Sequence, residues 1–208
     1  QRQAPSSACT PATSRGAKWT CCNCPPGTAA LSTTVAFKPS SVVWMGLPAN
    51  PADNFRGPKS SWTLAGRPLP FVSGAFTLDL LKPMLRQPSA LVSSYVGGLK
   101  NAGAVAAATI PVERIRGPVL LVSGAQDQLW PSTQMAAAII KRLDEHRFPY
   151  RHEHLAYGDA GHGLTLPYLP TTTINSGTIL AGGTPQGTAA ANADAWPKAV
   201  GFLREELR

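Results

Sequence analysis

The run Pro118-Val-Leu-Leu-Val-Ser-Gly-Ala-Gln-Asp127 most constrains what this chain can fold into. Four consecutive apolar residues, Val119 to Val122, predict a short strand buried on both faces. Gly124 stops it, and Asp127 stands on the turn beyond its carboxyl end. His162 follows 35 residues after Asp127, within Asp159-Ala-Gly-His-Gly163. It too stands past a predicted strand, the alternating stretch Tyr150 to Leu155, and Gly161 and Gly163 free the backbone to turn there. Between the two strands, Ser132 to His146 places Met135, Ile139, Ile140 and Leu143 in helical register, and Pro149 ends the helix. Strand, helix and strand in that order predict an α/β fold with a mostly parallel sheet flanked by helices. In such a sheet reactive groups collect outside the carboxyl ends of the strands, so Asp127 and His162 are expected at one site. Asp127 is not needed as a helix cap, because Pro131-Ser132 opens the next helix by itself.

Composition narrows the function classes. The 208 residues are one domain's worth, and 20 prolines with 19 glycines make the chain rich in loops. The formal charge is +8, but the 19 basic residues are scattered rather than striped, which argues against a nucleic-acid partner. A mild pull on anionic substrates is what that charge supports. No apolar run approaches membrane-spanning length, so no membrane span is expected and the default compartment is cytoplasmic.

Along the chain, residues 1–31 form an irregular segment holding all four cysteines, and residues 32–208 form the folded remainder. Val35 to Phe37 and Ser41 to Trp44 read as a strand and its exit, followed by a Pro- and Gly-rich excursion from Leu47 to Ser73. Helical stretches are predicted at Leu78 to Leu85, Ala90 to Leu99 and Asn101 to Thr109, as helices covering the site. Leu164 to Thr188 is too long for an ordinary connection and reads as a functional or mobile loop. A last helix from Ala189 to Leu207 is expected to pack through Trp196, Val200, Phe202 and Leu203.

Several of these stretches carry a resemblance. Thr109 to Ser132, ending in Asp127-Gln-Leu-Trp-Pro-Ser132, is similar to the C-terminal domain of the bile acid-CoA:amino acid N-acyltransferase and acyl-CoA thioester hydrolase family. So are Pro39-Ser-Ser-Val-Val-Trp44, Ser60-Ser-Trp-Thr-Leu64 and Ala160-Gly-His-Gly163. The resemblance runs almost continuously from Val35 to the C-terminus. It implies the C-terminal portion of an α/β-hydrolase fold, acting on acyl-CoA thioesters through a serine or cysteine nucleophile. It also implies Asp127 as the orienting acid and His162 as the general base.

The nucleophile of that fold sits on a tight strand-to-helix elbow, Gly-x-Ser-x-Gly. Here the best match is Ala12-Thr-Ser14-Arg-Gly16, with alanine at the first glycine position. Ser14 is the expected nucleophile, and the backbone N–H of Arg15 the expected oxyanion donor. The flanks depart from the pattern: residues 1–11 are not strand-like, and Lys18 to Gly27 makes a poor helix. A shifted reading frame accounts for both flanks. Ala17 to Cys24 can be encoded so that another frame reads Met-Asp-Leu-Leu-Gln-Leu, and Ser7 to Thr10 so that one reads Val-Gly-Val-Tyr; the gene's codons decide it. Cys9, Cys21, Cys22 and Cys24 are too crowded for a tetrahedral zinc clamp, so no metal is expected.

The expected chemistry is a Ser-Asp-His triad using no cofactor, with a CoA thioester as substrate. Trp130 is read mainly as packing, with a place in the acyl pocket as the alternative. His146, His152 and His154 read as surface residues. Another serine esterase or a dienelactone-hydrolase-like enzyme, acting on esters, lactones or peptides, and a non-catalytic truncated family member are the alternatives. Oligomeric state is open.

Overall fold

The computed structural model describes residues 33–46, 57–171 and 178–207. The irregular segment 1–31, with Ser14, Arg15 and the four cysteines, lies outside the described residues.

Three parallel strands form the main sheet: β1 (Thr34–Phe37), β6 (Val119–Gly124) and β7 (His152–Tyr157), with β6 in the middle. Thr34 aligns with Val119, and Val119 with His152. Two short antiparallel ribbons fill the excursion between β1 and β6. One pairs β2 (Met45–Gly46) with β3 (Lys59–Ser60), the other β4 (Thr63–Leu64) with β5 (Arg67–Pro68).

All six residues of β6 are buried, as expected for a strand covered on both faces. Leu120 and Val122 face Ala191, Ala195, Ala199 and Phe202 of α4 (Pro185–Glu206). Val119 and Leu121 face Ala136, Ile139 and Leu143 of α3 (Ser132–Glu145). Each such side chain contributes about 1.5–3 kcal/mol by leaving water, so truncating Leu120 to alanine would cost about 2–5 kcal/mol. The β6–α3–β7 unit is the predicted strand, helix and strand, with β7 two residues further along than expected. Arg142 of α3 forks onto the Glu113 carboxylate at 2.6 and 2.9 Å, tying the helix to the turn before β6.

The last helix differs from expectation in both start and face. It begins at Pro185, with the Thr184 hydroxyl accepting from the Gly187 N–H as an N-cap. Its buried face is Thr188, Ala191, Asn192, Ala195, Ala199 and Phe202. Of the four residues expected to pack, only Phe202 is buried; Trp196 is 37% exposed. Small alanines let the helix lie close on the sheet, and that close approach sets the face. Pro197 sits on the exposed side, where its missing N–H falls opposite the exposed Ala193.

The predicted helical stretches are present with changes of form. Leu78–Leu85 is a 3₁₀ helix containing Pro83 and ended by Arg86 at φ 56°, because proline cannot donate to an α-helical ladder. Next come α1 (Val92–Leu99) and α2 (Ala102–Ala108), the latter capped by Asn101 Oδ1 on the Ala104 N–H. Ser41 to Trp44 does not form a strand of the main sheet. Val42 and Trp44 make single bridges to Thr109 and Val72 and join a third cluster with Ala108 and Met135.

Candidate active site

Asp127 and His162 meet at the carboxyl end of the sheet. Asp127 leaves β6 on a turn in which its Oδ1 accepts the N–H groups of Leu129 at 2.9 Å and Trp130 at 3.1 Å. Ser132, fully buried at the start of α3, donates its hydroxyl to Oδ2 at 2.8 Å. The carboxylate side chain is only 2% exposed, so these donors replace the water it has lost. His162 Nδ1 stands 2.9 Å from Oδ2 and 3.1 Å from Oδ1.

Both neighbours of Nδ1 are carboxylate oxygens, which only accept. Nδ1 therefore carries the proton, and in the neutral imidazole Nε2 holds the free lone pair. Among the described residues no hydrogen bond reaches Nε2. A cavity of about 230 Å³ opens beside the imidazole, lined in part by His162, Gly163, Thr165, Thr171 and Asn192. An imidazole oriented by a buried carboxylate, with its far nitrogen open, can take a proton from a hydroxyl or thiol and return it to a leaving group.

The long stretch after His162 contributes to the site, which sequence reasoning left open. Asp127 bridges Gly182, and the Ala181 carbonyl accepts the N–H groups of His162 at 2.8 Å and Gln128 at 3.2 Å. One carbonyl thus holds the backbones of both the Asp127 and the His162 loops. Gly182 and Gly183 sit at φ 74° and 70°, and a Cβ on Gly182 would overlap the Gln126 carbonyl. The Gly-Gly pair was the available signal. Asn192 was not anticipated either; its Oδ1 accepts the Thr165 N–H at 2.7 Å and steadies the loop after His162.

Trp130, expected mainly as packing, lies with its ring centroid 5.8 Å from the imidazole, edge to face. Lys38, at the end of β1 with φ 53°, is half-buried near the site; burial lowers its pKa, with the Asp127 charge opposing. Of the histidines expected at the surface, only His146 is exposed. His152 is half-buried, bonding the Asp144 carboxylate at 2.9 Å and the Tyr150 carbonyl at 2.8 Å. His154 Nε2 meets the buried Ser123 hydroxyl at 2.8 Å. Among the described residues no three His, Cys, Asp or Glu side chains converge as a metal cluster, and no helix is long and apolar enough to cross a membrane. Ser14 and Arg15 lie outside the described residues.

The sequence profile of the family described as "BAAT / Acyl-CoA thioester hydrolase C terminal" matches residues 81–208. Among curated proteins, the mouse (Mus musculus) peroxisomal succinyl-coenzyme A thioesterase is 30% identical over 117 residues, 54% of this chain and 26% of that protein. Human (Homo sapiens) acyl-coenzyme A thioesterase 6 is 29% identical over 103 residues, and mouse acyl-coenzyme A thioesterase 3 is 33% identical over 103; each match covers 47% of this chain and 24% of the relative. The matched stretch thus spans about a quarter of each relative's length.

Proposed function

Because the chain belongs to the BAAT / acyl-CoA thioester hydrolase C-terminal family, we propose that it is an acyl-CoA thioester hydrolase or acyltransferase on an α/β-hydrolase scaffold, with Asp127 and His162 as its acid and base. The observation that carries this reading is the His162 imidazole, anchored through Nδ1 on Asp127 with Nε2 open beside a cavity. Relatives named as acyl-CoA thioesterases supply the substrate class.

In this proposal Ser14 is the nucleophile. His162 Nε2 takes the Ser14 proton as the hydroxyl oxygen attacks the thioester carbonyl. The resulting oxyanion is held by the Arg15 backbone N–H together with a second donor. Collapse breaks the carbon–sulfur bond, the CoA thiolate leaves with the proton from His162, and an acyl-serine remains. Water or an amine, deprotonated by the same imidazole, then attacks the acyl-serine and returns the serine hydroxyl. The Asp127 carboxylate stabilises the imidazolium. The steps need no metal or organic cofactor, and the cytoplasm remains the proposed compartment.

Release of free CoA thiol from acyl-CoA tests the reading. Asp127→Asn would hold the imidazole in the wrong tautomer and lower kcat about 10⁴-fold, and His162→Ala would abolish the reaction. Turnover of aryl esters without acyl-CoA turnover would reassign the site to a general serine esterase. Equal rates for the parent and His162→Ala would leave a non-catalytic family member.

A further inference from the structure

Residue 130 touches both members of the acid–base pair through two different parts. Its backbone N–H donates to Asp127 Oδ1 at 3.1 Å, while its indole ring meets the His162 imidazole at 5.8 Å with the planes at 77°. On its other side the ring meets Tyr95 of α1, at 6.1 Å and 84°, and Tyr95 in turn meets Trp44 at 4.8 Å and 87°. Three successive edge-to-face contacts run from the buried third cluster to the imidazole. The covering helix is fixed at the same place by the Val92 N–H, which donates to the Gln128 carbonyl at 3.0 Å.

The indole Nε1 is buried with no hydrogen-bond partner among the described residues. Among the described residues no polar bond fixes the ring's pose; packing does, between Tyr95 and the imidazole. An imidazole bonded to a carboxylate at Nδ1 can still swing about that bond, and a ring packed against it restricts that freedom. Edge-to-face pairs hold one another beyond the area they bury, enough to bias a side-chain rotamer by several-fold.

We propose that Trp130 is a positioning residue that holds the His162 imidazole over Asp127, with Tyr95 of the covering helix as its buttress. The catalytic consequence rests on the thioesterase reading; the structural consequence does not. Trp130→Leu keeps the backbone N–H to Asp127 and removes only the ring. Trp130→Phe keeps an aromatic ring and removes a donor that has no partner among the described residues, so nothing polar is lost. Tyr95→Leu leaves residue 130 intact and takes away its support.

The test follows the His162 Nδ1–H proton by NMR in the full chain labelled with ¹⁵N-histidine, assigned by its absence in His162→Ala, alongside thiol release from acyl-CoA. In Trp130→Leu the resonance is expected to broaden or vanish, and kcat to fall about ten- to a hundredfold with KM nearly unchanged. Trp130→Phe is expected to restore both, and Tyr95→Leu to move both in the same direction by less. An unaltered Nδ1–H resonance in a cooperatively melting Trp130→Leu chain would overturn the proposal. Should that variant not fold, an unaltered resonance in Tyr95→Leu would overturn it. A parent that hydrolyses no acyl-CoA while the resonance responds as described would defeat the thioesterase reading and leave the positioning role standing.

Discussion

Ser132 donates its hydroxyl to the same Asp127 oxygen, Oδ2, that faces His162 Nδ1; the two contacts are 2.8 and 2.9 Å. A serine at the first turn of α3 thus serves the carboxylate instead of capping its own helix, whose N-cap, Pro131, has no side-chain cap bond. Asp127 is left with Oδ2 divided between a hydroxyl and the imidazole, and with Oδ1 held by two backbone N–H groups.

Ser132→Ala removes one of four donors from a carboxylate that is almost wholly out of water. A hydrogen bond to a charged group contributes about 1.5–3 kcal/mol, and the loss is expected in the urea midpoint at neutral pH. The freed oxygen can turn from the imidazole, so kcat is expected to fall about tenfold. Unchanged stability and rate would show that the hydroxyl plays no part in holding Asp127.

Two histidines on β7 act on stability with opposite signs. The pKa of His152 is raised, first by the Asp144 carboxylate and then by the Tyr150 carbonyl; both ring nitrogens face acceptors, so the bound form is the imidazolium. Its contribution is full below the ordinary value of 6.5 and fades as pH rises through the higher folded value. Burial lowers the pKa of His154, so the unfolded chain binds a proton that the folded chain refuses, and stability falls as pH drops below 6.5. Urea midpoints between about pH 8 and pH 5 are expected to show His152→Gln losing stability mainly at the acid end. His154→Gln is expected to flatten the parent's acid decline. Parallel curves for the two variants would contradict the assignment.

Gly182→Ala tests the strap that ties the Asp127 and His162 loops. At φ 74° an alanine is strained, and its Cβ would overlap the Gln126 carbonyl. A cost of at least about 1–3 kcal/mol is expected, read as a lower thermal midpoint, with the His162 amide losing protection from exchange as its bond to Ala181 opens. An alanine variant as stable as the parent would mean that the strap is dispensable.

Local chemistry made much of this legible. Val119 to Val122 announce a strand covered on both faces, and glycine then carboxylate, like glycine then histidine, marks the edge at which Asp127 and His162 meet. Ser132, Ala181 and Asn192 were not legible as parts of the site, because their roles depend on which distant loop returns to the sheet. The face of α4 is not legible from bulk, because its largest side chain is not a buried one. Close packing on β6 selects alanine, which leaves the larger Trp196 outside. Pro83 was enough to question an α-helix at Leu78–Leu85, yet only the tighter winding seen there shows how the chain accommodates it.

The most direct measurement is labelling of the purified chain with a fluorophosphonate probe, with the adduct located by peptide mass. An adduct on Ser14 is expected, disappearing in His162→Ala and strongly reduced in Asp127→Asn. A folded chain that takes no label, or one labelled equally well without His162, would contradict the claim that the Asp127–His162 pair activates a serine.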